Sequence, residues 1–301
     1  MPEKIGITFL GTGDAIPTTE RNHTSILIRY KDENILVDCG EGTQRQFKKA
    51  GLSISKVTRI LLTHFHGDHI FGLPGLLQSL SGQNHKRTLY IYGPRGTKEF
   101  IEKLTNLFLF HHEYKIEVKE VDGKFLDTAD FYIESAKMSH LIPCNAYSFV
   151  KKGQIRIDKA KLKKEKIPPG PWLAKLKEGK DISVNGKKYS AKKLTYKEGS
   201  TKISFVLDTS FNKNIIPFAE DSDLLISEST FSSDMEKTAL EYGHLTSSQA
   251  GQIAKKSGSK KLMITHISQR YEKEKNRILS EAKKVFKNSF LAHDLDRFEV
   301  G

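Results

Sequence analysis

The sequence predicts an α/β fold in which β-sheets are covered by helices, interrupted by one inserted basic arm. Three observations carry that expectation. Short apolar runs alternate with glycine-rich turns, at both the close spacing of meanders and the wider spacing of crossovers. Several of those runs are followed at once by a histidine or an aspartate. One lysine-dense stretch near the middle loses the apolar periodicity kept elsewhere.

In order along the chain, Ile5–Leu10, Ser25–Arg29, Asn34–Val37 and Arg59–Leu62 are apolar runs of strand length. Ile70–Ser81 and Gly96–Phe108 place apolar residues at helical spacing, with Leu89–Tyr92 as a strand between them. Ile116–Val121, Phe131–Ala136 and Ala146–Val150 add strands, as do Lys202–Leu207, Leu224–Ile226 and Leu262–Thr265. Thr246–Lys256 and Glu272–Phe286 have helical period. No internal repeat is present, so 1–301 reads as a single domain carrying a flexible arm at about 151–180.

That arm holds Lys151, Lys152, Arg156, Lys159, Lys161, Lys163, Lys164 and Lys166. The rigid turn Pro168-Pro169-Gly170-Pro171-Trp172 comes next, then Lys175, Lys177 and Lys180. Lysine neutralises phosphates and releases counterions, so a phosphate grip is expected here rather than an ordinary solvated loop. Trp172 is expected to pack the hinge, with stacking on a base as the alternative.

Composition narrows the function classes. The chain has 301 residues, 37% of them hydrophobic, and a mean hydropathy of -0.47. No apolar run approaches the ~18–20 residues of a membrane span, and Met1-Pro2-Glu3-Lys4 leads into Ile5 without a secretory signal pattern. Cys39 and Cys144 are the only cysteines, too few for a disulfide framework, which points to a reducing cytoplasm. The net charge of +13 attracts polyanions, although a lysine-rich proteome would produce the same surplus.

The chemistry is concentrated in Thr63-His64-Phe65-His66-Gly67-Asp68-His69, on the turn leaving an expected strand. Imidazole nitrogens and a carboxylate so close together suit zinc, with manganese or iron as alternatives. His140, Asp208 and His266 each end a strand-like run as well. Side chains at strand ends on one sheet edge can meet in one cleft. His64, His66 and His140 are candidates to hold one ion, Asp68, His69 and His266 a second, and Asp208 can bridge them. Two ions ~3.5–4 Å apart can clamp the attacking and leaving oxygens of a phosphoryl displacement.

The H-x-H-x-D-H pattern with later His, Asp and His resembles the metallo-β-lactamase superfamily, which implies a four-layer αββα sandwich. Phe9-Leu10-Gly11-Thr12-Gly13, Val37-Asp38-Cys39-Gly40-Glu41-Gly42-Thr43-Gln44, Tyr242-Gly243-His244-Leu245-Thr246 and Ile264-Thr265-His266-Ile267-Ser268-Gln269-Arg270-Tyr271 narrow the resemblance. Together with the arm, they are similar to the short form of the ribonuclease Z family, the tRNA 3′-processing endonucleases. The resemblance implies two zinc ions per chain and precursor tRNA as substrate. It also implies a cytoplasmic homodimer whose arm serves the partner's substrate, with no membrane association. Asp68 would then be the general base, and Glu228 and His244 a charge-paired proton donor near the leaving group. The alternative for His244 is a surface histidine capping the helix that starts near Thr246. The candidate RNA-binding residues are Lys159, Lys161, Lys163, Lys164, Lys166 and Arg21.

Two segments depart from the family pattern. Pro17-Thr18-Thr19-Glu20-Arg21-Asn22 lacks the lysine of P-x-K-x-R-N, and Ser227-Glu228-Ser229-Thr230 stands where the family has H-E-A-T. Both bear on the choice of cut site and on CCA-bearing precursors, not on the cleavage chemistry. The competing readings are a small-molecule phosphodiesterase or sulfatase of the same fold and a non-catalytic RNA-binding relative.

Overall fold

Leucine-rich and β-branched runs pair into two seven-stranded sheets in the computed structural model, which describes residues 3–107 and 113–301. Met1, Pro2 and Phe108, the last residue expected in the second helix, lie outside the described residues. The first part of the chain supplies β1 (Ile5–Gly11), β2 (Ser25–Tyr30), β3 (Glu33–Val37), α1 (Thr43–Lys49), β4 (Arg59–Leu61), α2 (Gly67–Ile70), α3 (Leu73–Gly82), β5 (Leu89–Gly93), α4 (Thr97–Leu107) and β6 (Ile116–Glu120). Then come β7 (Gly123–Asp127), β8 (Phe131–Met138) and β9 (Cys144–Lys151). A smaller set follows: β10 (Ile155–Ile157), α5 (Lys159–Lys164), α6 (Trp172–Lys177), β11 (Ile182–Val184), β12 (Lys187–Tyr189), α7 (Ala191–Leu194) and β13 (Thr195–Lys197). The last third supplies β14 (Thr201–Val206), α8 (Ile215–Phe218), β15 (Leu224–Glu228), α9 (Glu236–Tyr242), α10 (Ser247–Lys256), β16 (Leu262–Thr265), α11 (Lys275–Val285), β17 (Ser289–Leu291) and β18 (Arg297–Val300).

The strand orders are β18-β1-β2-β3-β4-β5-β6 and β17-β16-β15-β14-β9-β8-β7. Within them, β3, β4, β5 and β6 are parallel neighbours, and so are β14, β15, β16 and β17. Parallel neighbours end together, so residues just past β3 and β4, or past β14, β15 and β16, share one edge.

Alternation along the strands fixes which side chains face which layer. In the first sheet Leu27, Leu36, Ile60 and Leu62 pack beneath Phe47 of α1, Leu76 and Leu80 of α3 and Ile101 of α4. In the second, Val206, Leu225 and Ile264 pack beneath Ile253 of α10 and Ile278 and Ala282 of α11. The remaining faces meet each other: the Tyr30 and Phe149 rings lie 5.6 Å apart, and the Tyr147 hydroxyl donates to the Leu62 carbonyl at 2.7 Å. The layers are therefore αββα. Among the described residues no helix is long and apolar enough to cross a membrane.

The expected helix over Ile70–Ser81 is two helices. Pro74 has no N–H and can open a helix but not continue one; it lies in the first turn of α3 and leaves α2 a single turn. The helix expected from Glu272 starts at Lys275, after a 3-10 turn over Gln269–Tyr271.

Asp127–Tyr132 and Val150–Thr201 form a separate compact unit. It runs further than the 151–180 span read from the lysines. Ile167, Leu176, Ile182, Val184, Ala191 and Leu194 are buried against one another there. Half-buried Trp172 packs on that cluster and donates its indole N–H to the Pro168 carbonyl at 2.9 Å, which is a packing role.

Candidate metal centre and its proton donor

Asp38, directly after β3, organises the first half of the site. Its backbone is left-handed (φ 57°). Its carboxylate accepts the Thr63 N–H and hydroxyl, both at 2.7 Å, and the His69 Nδ1–H at 2.7 Å. The Thr63 hydroxyl, its proton spent on Asp38, accepts from His64 Nδ1 at 3.0 Å. His140, past β8, donates Nδ1–H to the Gly243 carbonyl at 2.8 Å. Gly243 has φ 74°, and a Cβ there would lie 2.7 Å from His140 Nδ1, so only glycine fits. These partners fix the tautomers and turn Nε2 of His64, His69 and His140 inward.

Among the described residues, beside a three-residue cluster of Glu228, His244 and His266, two four-donor groups result: His64, His66, His140 and Asp208, and Asp68, His69, Asp208 and His266. Asp208 belongs to both. Neighbouring donors are spaced by 3.1 to 3.5 Å. A tetrahedron with donors about 2.0–2.1 Å from its centre has edges of roughly 3.3–3.4 Å, so the spacing fits a small divalent cation. Among the described residues, buried Asp208 Oδ1 has no hydrogen-bond partner, although His266 Nε2 lies 3.3 Å away. A cation would complete a carboxylate oxygen so placed.

The electrostatics agree. Burial alone would raise the Asp208 carboxyl, but His266 and His69 hold it well below the ordinary range. Burial works against charge on His69, yet Asp208, Asp68 and Asp38 push its pKa well up. His64 is held well down, first by burial and then by His69. His266 has φ 56°, a strained backbone for a non-glycine residue. It is held there because Ile267 bridges Gly13 and donates its N–H to the Thr12 carbonyl at 3.1 Å.

Glu228, the last residue of β15, is fully buried. It accepts the Thr209 N–H at 2.8 Å, the Thr230 hydroxyl at 2.6 Å and His244 Nδ1–H at 3.1 Å. Burial opposes charge on His244, but Glu228 and Asp208 outweigh it and raise its pKa to about 9. His244 is not the helix cap. Thr246 caps α10, its hydroxyl and the Gln249 side chain forming a capping box. His244 instead faces the donor cluster, its ring centroid 5.4 Å from that of His140. Above it opens a cavity of about 540 Å³ bordered by Asp68, Asp208, His266, Tyr242 and Arg270.

A family model described as Anti-Pycsar protein Apyc1 matches residues 5–127. Ribonuclease Z of Nanoarchaeum equitans is 43% identical over 266 residues, covering 88% of this chain and 84% of that protein. The chain belongs to the ribonuclease Z family. The crystal structure of the short form of human tRNase Z superposes with a TM-score of 0.72 at 27% identity, covering 98% of this chain and 99% of that one. The metallo-beta-lactamase fold protein YhfI of Bacillus subtilis, at 23% identity, gives a TM-score of 0.71 over 99% of this chain and 100% of its own. This chain has that fold.

One expected RNA contact is corrected. Arg21 is 2% exposed; its guanidinium donates to the Thr12 hydroxyl at 2.6 Å and the Ala292 carbonyl at 3.0 Å. It pins a loop inside the protein and offers nothing to a phosphate. Arg21→Ala is therefore expected to cost about 1–3 kcal/mol of stability, the toll of unmade buried hydrogen bonds. The salt dependence of RNA binding should not change; a flattened salt slope at unchanged melting temperature would contradict the assignment. By contrast Lys159, Lys161, Lys163, Lys164 and Lys166 are all exposed. Lys151 and Arg156 are tied to Glu198 at 3.2 and 2.7 Å.

Asp38, Thr63, Thr230 and Gly243 received no role from sequence reasoning. Asp38 ends a strand-like run as His64 does, and that signal could have found it. Thr63 opens the His-rich turn and Thr230 ends the segment that stands where the family has H-E-A-T, yet neither pattern reveals which side chain the hydroxyl will meet.

Proposed function

We propose that this protein is a metal-dependent endoribonuclease that removes the 3′ trailer from precursor tRNA, leaving a 3′-hydroxyl on the tRNA and a 5′-phosphate on the trailer. The observation that carries the reading is a pair of donor groups sharing Asp208 beside a buried Glu228–His244 pair, in a member of the ribonuclease Z family. The two groups fit two zinc ions per chain, given their excess of imidazole over carboxylate; manganese and iron suit the same donors less selectively. When bound, the ions would act as Lewis acids on the scissile phosphate and make water ionise near neutral pH. His64, His66 and His140 would hold one ion and Asp68, His69 and His266 the other.

The protons move through protein groups. Asp68 takes the proton of the attacking water. His244 is charged at neutral pH through Glu228, and with Nδ1–H given to that carboxylate, Nε2–H remains to protonate the departing 3′ oxygen. The P–O3′ bond breaks as the new P–O bond forms.

Substrate choice rests on the basic unit. Two of the five exposed lysines, Lys161 and Lys164, join Lys175, Lys187, Lys188 and Lys193 in lining a cavity of about 970 Å³ in that unit. A small diester has no use for such a surface, whereas tRNA presents a phosphate to each cation. Excising Lys152–Lys177 would strip Ile167 and Leu176 from the unit's core. Replacing Lys159, Lys161, Lys163, Lys164 and Lys166 with glutamine spares it. Precursor-tRNA affinity should then fall and its salt slope flatten by about 0.7–0.9 per lost contact, with turnover of a small model diester retained. Unchanged affinity and slope would overturn the grip and favour a small-molecule hydrolase.

The free thiols Cys39 and Cys144 are buried, which accords with a cytoplasmic protein. A homodimer is the assembly proposed, checked by sedimentation of the purified protein.

A further inference from the structure

We infer that Thr230 is a positioning residue whose single hydroxyl ties the His266 ligand to the Glu228–His244 proton donor. The inference rests on the reading above of His266 as a metal ligand and His244 as the acid. Thr230 is 3% exposed, and its Oγ1 lies 2.6 Å from Glu228 Oε2, 2.9 Å from His266 Nδ1 and 3.4 Å from His244 Nδ1.

A hydroxyl has one proton and two lone pairs. At 2.6 Å from a carboxylate oxygen, the proton must lie between Oγ1 and Glu228; a lone pair there would face like charge at close range. Oγ1 can then only accept from His266, so His266 carries its proton on Nδ1 and points a bare Nε2 lone pair inward. That Nε2 stands 3.3 Å from Asp68 Oδ2 and 3.3 Å from Asp208 Oδ1, in the second donor group. The direction of one O–H bond thus selects the ligating nitrogen of His266.

The same bond acts on the other side. Glu228 Oε1 receives the Thr209 N–H and His244 Nδ1–H, while Oε2 is occupied by Thr230. With both oxygens satisfied, the carboxylate plane is fixed and His244 is aimed. Without the hydroxyl, Oε2 keeps, among the described residues, only the Thr230 N–H at 3.4 Å, and the carboxylate can turn away from His244.

The test uses Thr230→Val, which keeps the shape and removes the hydroxyl, and Thr230→Ser, which keeps the hydroxyl. Zinc affinity is measured by competition with a chromogenic chelator, beside cleavage of precursor tRNA with either oxygen or sulfur as the bridging 3′ leaving atom. Thr230→Val should bind zinc about 10–100-fold more weakly, the usual effect of losing a hydrogen-bond partner of a ligand. At saturating zinc it should still cleave the oxygen substrate slowly and recover on the sulfur substrate, which needs little protonation. Thr230→Ser should behave as wild type in both assays. Thr230→Ala takes the place of Thr230→Val if the latter does not fold. Wild-type zinc affinity and wild-type cleavage in Thr230→Val would overturn the inference and leave the proposed function standing. Equal defects in the serine and valine variants would also overturn it, since the methyl and not the hydroxyl would matter. A wild-type protein that neither binds zinc nor cuts precursor tRNA would sink the proposed function itself.

Discussion

Asp208→Ala abolishes cleavage and leaves metal content far below wild type: this is the largest effect expected of any single substitution. Asp208 is the one residue common to both donor groups. Its Oδ2 lies 3.5 Å from His64 Nε2 and 3.3 Å from His69 Nε2, and its Oδ1 lies 3.3 Å from His266 Nε2. Alanine removes a negative charge from among imidazoles that crowd to centroid distances of 4.2 to 5.1 Å. The cluster then loses the bridge and most of the attraction that draws a cation in. Each half would retain only three donors, with the neutralising charge gone from between them. Elemental analysis of the purified variant checks this; full occupancy would show that Asp208 bridges nothing.

His244→Ala should slow cleavage by about 10²–10⁴, the usual contribution of a positioned acid. A substrate with sulfur as the leaving 3′ atom should recover most of the loss, because a thiolate leaves without a proton. Glu228→Gln should act in the same direction. Glu228 is the charge partner that keeps His244 protonated, and a glutamine amide would also set N–H against the Thr209 N–H or the Thr230 hydroxyl. The sulfur substrate should therefore rescue Glu228→Gln less completely than His244→Ala. Failure of the sulfur substrate to rescue His244→Ala would reduce His244 to a residue that shapes the pocket.

Much of this site was legible in the sequence for one physical reason. Histidines and aspartates at the ends of strand-like runs stand out against apolar neighbours, and parallel strands bring such ends together. His64, Asp208 and His266 were readable in that way, and the structure places all three in the donor groups. What was not readable depends on single hydrogen bonds between distant segments. Thr230 reaches His266, and Gly243 reaches His140, only after folding. Arg21 was misread because a positive charge in sequence does not reveal that Thr12 and Ala292 will enclose it. In the fold, strands lying in continuous apolar runs were found, even three-residue β4, whereas β7, β17 and β18 each hold only two apolar residues and show no period. The core of the basic unit was hidden similarly, its apolar residues being scattered from Ile167 to Leu194 among lysines.

The central claim is metal-dependent cutting of precursor tRNA at the 3′ end of the mature sequence. The most direct measurement incubates the purified protein with end-labelled precursor tRNA, with chelator, and with chelator followed by excess zinc or manganese, and maps both product ends. One cut near the discriminator base, leaving a 3′-hydroxyl and a trailer 5′-phosphate, lost with chelator and restored by metal, is the result expected. Intact precursor under all conditions, or a cut that persists through chelation, would contradict it.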